Sequence, residues 1–166
     1  MKNIGEIYEK YGNIVYKYVF CLTGNRETAE EITQETFLVA TKNIEKFRGE
    51  CKLSTWLCQI SKYIWYKEVK KEKVNETCSM DIIQESICNR ISIEEEICNK
   101  EERVKIFKII QTFDENTKNV MYLRIFGNFE YKEIAEIMNK TPNWARITFF
   151  RGKQKLKEEM KNEIEL

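Results

Sequence analysis

Histidine is absent from this 166-residue chain. A zinc site would therefore have to be built from scattered thiolates alone. The six cysteines, Cys21, Cys51, Cys58, Cys78, Cys88 and Cys98, contain no C-x-x-C pair that would bring two of them together. Free reduced thiols suit a cytosolic compartment, with redox sensing by one of them as a minor reading. Glycine and proline are scarce, six and one respectively, so there is little turn chemistry for a sheet protein. No phosphate-cradling loop occurs. Acid–base catalysis by paired carboxylates has no histidine, metal ligand or phosphate site to support it. No run of 18 apolar residues exists, and Met1-Lys2-Asn3-Ile4-Gly5-Glu6 is not a signal peptide. These absences predict a soluble, cytoplasmic, all-α protein that is not an enzyme, binds no metal or cofactor and does not insert into a membrane.

Apolar residues make up 42% of the chain, enough for a core. The net charge of +1 is unevenly spread. Residues 1–73 carry a net +3, residues 74–102 a net −6 and residues 103–166 a net +4. Two mildly basic blocks flank an acidic middle, the pattern of two modules and a connector.

Apolar groups from Ile4 to Leu22 recur every three or four residues, which predicts a helix that Gly24 can end. Asn25 suits the cap of a second helix running to about Lys46, with Ala29, Ile32, Thr33, Thr36, Phe37 and Ala40 inward. Its other side shows Glu27, Glu31, Gln34, Glu35 and Leu38. That stripe is either an ordinary solvated face or a docking surface for a basic partner. Residues 47–53 read as a loop, with Ser54 capping a third helix from Thr55 to about Glu72. Regularity fades over 74–95, returns with Ile97, and a further helix spans Glu115 to Phe126, ending at Gly127.

Two segments point to nucleic acid. Glu130 to Met138 is a short amphipathic helix, Asn139-Lys140-Thr141 breaks it, and Pro142 opens a longer basic helix. Thr141 suits the N-cap and Pro142 the first helical position. Such a helix-turn-helix usually sends its second helix into a DNA major groove. Ala145, Phe149, Gly152, Leu156 and Met160 form the buried stripe of that helix. Asn143, Trp144, Arg146, Ile147, Phe150, Arg151 and Gln154 face out, where arginine grips guanine and Asn or Gln grips adenine. Lys153, Lys155 and Lys157 suit phosphates. The second segment is Lys62-Tyr63-Ile64-Trp65-Tyr66-Lys67 with Lys70, Lys71 and Lys73. Cations interleaved with rings suit unpaired strands, and Trp56 lies beside a loop that can receive a flipped base. The competing reading makes the rings core and the lysines solubilising.

These pieces, in this order, resemble a bacterial sigma factor of the extracytoplasmic-function (ECF) type, in the sigma-70 family. Ala29-Glu30-Glu31-Ile32-Thr33-Gln34-Glu35-Thr36-Phe37 looks like the core-binding helix of that family. Phe47-Arg48-Gly49-Glu50 and Thr55-Trp56-Leu57 look like its melting loop and the helix that follows. Tyr131-Lys132-Glu133-Ile134-Ala135-Glu136-Ile137 looks like the start of its helix-turn-helix. The resemblance implies an all-α fold of two small helical domains, 1–73 and 101–166, joined by a flexible acidic linker at 74–100. It implies that Glu31, Gln34 and Glu35, with Phe37 beneath, bind core RNA polymerase, whose β′ and β subunits are the partners. It implies that Lys52, Leu53, Ser54, Trp56, Tyr63 and Lys67 serve the minus-ten element. Asn143, Trp144, Arg146, Ile147, Phe150 and Arg151 would serve the minus-thirty-five element, so promoter DNA is bound both as duplex and as unpaired strand. An anti-sigma factor, often membrane-anchored in this family, is the expected inhibitor. The chain departs from the family at Pro142-Asn143-Trp144-Ala145, which implies an unusual preferred sequence. A stand-alone helix-turn-helix regulator and a protein-binding helical adaptor are the alternatives.

Overall fold

A computed structural model describes residues 3–71 and 100–164. The described residues form seven α-helices, one 3-10 turn and no strand: α1 (Ile4–Thr23), α2 (Arg26–Asn43), the turn Ile44–Lys46, α3 (Leu53–Lys71), α4 (Lys100–Gln111), α5 (Glu115–Ile125), α6 (Tyr131–Met138) and α7 (Pro142–Ile164). The all-helical expectation holds. The expected linker at 74–100 falls almost wholly outside the described residues.

Helix boundaries follow local chemistry. Asn3 caps α1 by accepting the Gly5 N–H at 3.0 Å. Gly24 closes it in the left-handed region at φ 63°, where a side chain would be strained, and its N–H reaches the Phe20 carbonyl at 2.8 Å. Asn25 then caps α2 by accepting the Thr28 N–H at 3.0 Å. The buried face of α2 is Ala29, Ile32, Thr33, Thr36, Phe37 and Ala40, as the spacing predicts. Two threonines sit in that apolar face without stranding a hydroxyl. Thr33 and Thr36 donate to the carbonyls one turn back, Ala29 at 2.6 Å and Ile32 at 2.7 Å.

Helix α3 begins two residues before the predicted start. The Lys52 carbonyl accepts the Trp56 N–H at 3.1 Å, so Lys52 sits at the cap and Ser54 lies inside the first turn. The Ser54 cap is therefore not formed. The Lys52 side chain is held elsewhere, in a contact that local sequence does not announce.

The helix-turn-helix forms where expected. The Glu133 carboxylate accepts the Glu130 N–H at 2.7 Å and caps α6. Asn139 turns the chain at φ 54°, and the Lys140 N–H closes on the Ala135 carbonyl at 2.9 Å. Thr141 accepts the Trp144 N–H at 3.1 Å and so caps α7, which Pro142 opens. Arg124 braces the unit. Its guanidinium donates to the Phe129 carbonyl at 2.9 Å and lies 4.7 Å from the Tyr131 ring centre.

Helices α1 to α3 pack on one another, and α7 packs on α4, α5 and α6. The two sets also meet. One cluster of buried apolar side chains runs from Val15, Val19 and Leu57 into Val120, Leu123 and Ile134. A second, smaller one joins Ile110, Met121 and Leu156. Each fully buried aliphatic group of this kind contributes about 1.5–3 kcal/mol relative to exposure. Polar groups sit in the same seam. The Tyr18 hydroxyl, fully buried, donates to Asn119 Oδ1 at 3.2 Å, and Asn119 Nδ2 donates to the Glu115 carbonyl at 2.8 Å. Tyr66 adds hydrogen bonds to Glu115 and Asn119. Burial, followed by the Glu115 contact, pushes its phenol well above the ordinary range.

Candidate nucleic-acid and partner interfaces

The first surface is the outer face of α2. Glu31, Gln34 and Glu35 are exposed, and Leu38 is 64% exposed beside them. Phe37 lies beneath, 5% exposed, with the Tyr8 ring edge-on at 4.8 Å. Phe37 thus supports the stripe from inside. A leucine left in water among carboxylates is a small apolar anchor within an anionic rim.

The second surface comprises the 47–52 loop and one side of α3. Lys52, Tyr63 and Lys67 project into solvent, with Tyr63 70% exposed. Leu53 and Trp56 are half-buried against the core, and Ser54 is half-buried. The Trp56 ring lies 5.0 Å from the Phe47 ring, tilted by 39°, so it props the loop from behind. A cleft of about 390 Å³ opens between them, lined by Lys46, Phe47, Arg48, Glu50, Cys51, Trp56, Gln59 and, from α6, Glu136. It combines cations with aromatic rings, the ingredients for holding an unpaired base.

The third surface is the outer face of α7. Asn143, Arg146, Ile147, Phe150 and Arg151 are all exposed, with Phe150 at 59%. Ala145, Gly152 and Leu156 are buried behind them. The Asn143 amide oxygen accepts from Arg146 at 2.9 Å, which aligns two candidate reading groups. Trp144 is half-buried on the core with the Lys140 ammonium 5.7 Å from its ring centre, so its ring is only partly presented. Lys155 stands 4.7 Å over the Phe113 ring.

Sequence reasoning missed the groups that join the second surface to α6. Glu133 Oε1 takes the Lys52 ammonium at 2.8 Å. Gln59 Nε2 donates to the Glu136 carbonyl at 2.9 Å, and Lys62 Nζ donates to the Ile137 carbonyl at 3.2 Å. The Lys52–Glu133 contact raises the lysine pKa, first through the hydrogen bond and then through the charge. Burial lowers the pKa of Lys62. Partners more than 70 residues apart leave no local signal.

The three described cysteines offer little reactive chemistry. Burial pushes Cys21 up to about 12 and Cys58 still further, so both stay protonated thiols. Burial also raises Cys51, helped by Glu136 and Glu50. Cys78, Cys88 and Cys98 lie outside the described residues. Among the described residues, no three metal-binding side chains converge, and no helix is long and apolar enough to cross a membrane.

Comparison with known proteins bears on the family. A family model described as Sigma-70 region 2 matches residues 7–74. The ECF RNA polymerase sigma factor SigM of Bacillus subtilis (strain 168) is 28% identical over 158 residues, covering 93% of each chain. The RNA polymerase sigma factor YlaC of the same organism is 25% identical over 163 residues, covering 95% of this chain and 92% of its own. The fold is shared with the sigma factor RpoE of Bartonella quintana, solved in complex with the anti-sigma factor NepR. Its TM-score is 0.72 at 15% identity, covering 97% of this chain and 98% of that one. Residues 7–74 thus match a sigma-70 region 2, and along nearly its whole length this chain is similar to ECF sigma factors of the sigma-70 family.

Proposed function

We propose that this chain, as a sigma factor, gives core RNA polymerase its promoter address and helps open the duplex, acting by binding alone. Core enzyme docks on the outer face of α2, where Glu31, Gln34, Glu35 and Leu38 meet a basic partner surface. The 47–52 loop and α3 take the minus-ten element, with Lys52 and Lys67 on phosphates, Tyr63 stacking and Trp56 propping the loop. Bases captured in the cleft offset part of the unstacking cost of a few kcal/mol per base. The α7 face reads the minus-thirty-five duplex through Arg146, Arg151 and Asn143, while Ile147 and Phe150 are placed for thymine methyls. RpoE of Bartonella quintana forms a complex with the anti-sigma factor NepR. A protein of that kind covering the surfaces described above would hold this chain inactive.

One observation carries this reading. The acidic face of α2, with Leu38 exposed and Phe37 sealed beneath, is turned to solvent on the same chain as an exposed basic reading face on α7. A stand-alone duplex binder has no need of the former. The test is reconstitution of the purified chain with core polymerase on genomic DNA, followed by transcript sequencing. Initiation at new, shared promoter sequences is expected, and the double variant E31K/E35K should lose co-elution with core enzyme while staying folded. Strong duplex protection by the chain alone, with no co-elution, would instead assign a stand-alone regulator.

A further inference from the structure

At the start of α7 two exposed side chains are already joined. Asn143 and Arg146 lie one helical turn apart, so they share a face. Arg146 Nη2 donates to Asn143 Oδ1 at 2.9 Å. That bond divides the work of the pair. To read adenine, an asparagine needs both ends of its amide, the oxygen for the N6–H and the nitrogen for N7. Arg146 occupies the Asn143 oxygen, so the adenine fork is spent. Arg146 itself gives up one of its several N–H donors and keeps enough for guanine O6 and N7. An amide is also uncharged, so it holds the guanidinium without neutralising it.

The local chain keeps the pair in place. Thr141 accepts the Trp144 N–H at 3.1 Å and Pro142 opens the helix, which fixes the turn that carries Asn143. Of the two residues between the partners, Ala145 is buried and Trp144 is half-buried on the core. Asn143 and Arg146 are thus the polar edge of this turn.

We propose that Asn143 reads no base of its own and is instead a positioning residue, setting the Arg146 guanidinium so that the pair demands one G·C base pair in the minus-thirty-five element. The inference rests on the assignment of the α7 face to that element and deepens it. An arginine on a helix surface loses rotamer freedom when it binds, and a bond made beforehand removes part of that cost. In water such a pair contributes little, but a groove that excludes water strengthens it. Asn143 belongs to the Pro142–Ala145 stretch in which this sequence departs from the family it resembles. The preference is therefore a property of this chain rather than of the family.

The test is promoter choice by the reconstituted holoenzyme. A promoter taken from the wild-type transcripts is varied at each minus-thirty-five position in turn. All versions, each with a transcribed barcode, compete in one reaction, and sequencing counts their transcripts. Relative use does not depend on how much of a variant is active, so a poorly folding variant still reports its preference. Both substitutions at Asn143 also suit a first helical turn, alanine by propensity and an acid by the helix dipole. Wild type should favour guanine at one position by roughly tenfold or more. N143A should lower that preference roughly three- to tenfold and leave the other positions unchanged. R146A should abolish the same preference, and N143A added to R146A should change nothing further. N143D should keep the preference, because its carboxylate still accepts from Arg146 although it cannot donate to adenine N7. The proposal is overturned if N143A acts at an A·T position, if its loss persists on top of R146A, if N143D abolishes the guanine preference, or if N143A has no effect. A wild-type holoenzyme indifferent to every minus-thirty-five base pair would defeat the duplex-reading assignment of α7 and the pair with it. A failure confined to the variants leaves that assignment standing.

Discussion

Gly152 sits on the buried stripe of α7, where a single added methyl should be felt. A Cβ there would lie 2.6 Å from Met121 Sδ and 2.9 Å from both Met121 Cγ and Thr117 Cγ2 on α5. Ordinary contact begins near 3.4 Å, so α5 and α7 must part or Met121 must move. Met121 is fully buried, and Thr117 is β-branched and stiff at χ1. Replacing glycine by alanine inside a helix contributes about 0.5–1 kcal/mol of stability. Overpacking of a filled site costs about 1–3 kcal/mol. Overpacking should win, leaving G152A less stable by up to about 2.5 kcal/mol, a fall in Tm of up to about 10 °C for a chain of this size. Urea and thermal denaturation measure it. A double-mutant cycle with M121A should show favourable coupling above about 0.5 kcal/mol, because the cavity accepts the new methyl. A G152A protein more stable than wild type, or zero coupling, would refute the close α5–α7 approach.

Three further outcomes follow from the same geometry. Y18F removes the donor to a buried amide oxygen and should cost about 1–3 kcal/mol by urea denaturation, since Asn119 keeps its burial but loses a partner. R146E/R151E should weaken minus-thirty-five duplex binding by roughly tenfold or more and flatten its salt dependence, leaving core-enzyme binding intact. Cys21 titrates near 12 when folded against an ordinary value near 9, so the unfolded chain loses its proton first as pH rises. Stability should therefore fall above about pH 9, and C21A should flatten that slope in denaturation curves taken between about pH 8 and pH 11.

Much of the fold is legible in the sequence because its determinants are local. The face of α2, the Gly24 and Asn139 turns, and the Thr141–Pro142 start of α7 all follow from residues within one or two turns of each other. Helical periodicity separates inside from outside at that range, and a cap needs only its own N–H groups. The exposure of Glu31, Arg146 and Arg151 follows from the same periodicity. The start of α3 escapes local reasoning for the opposite cause. Ser54 is a good cap by type, yet the helix begins at Leu53, and Lys52 at its cap finds its side-chain partner on α6. Likewise, Glu133 and Glu136 read as ordinary polar positions of a short helix, and nothing near them names Lys52 or Gln59. Local chemistry alone determined which segments are helical and which faces are polar. Only tertiary packing decided that α6 rests on the donors of α3, because that pairing depends on bringing together residues more than 70 positions apart.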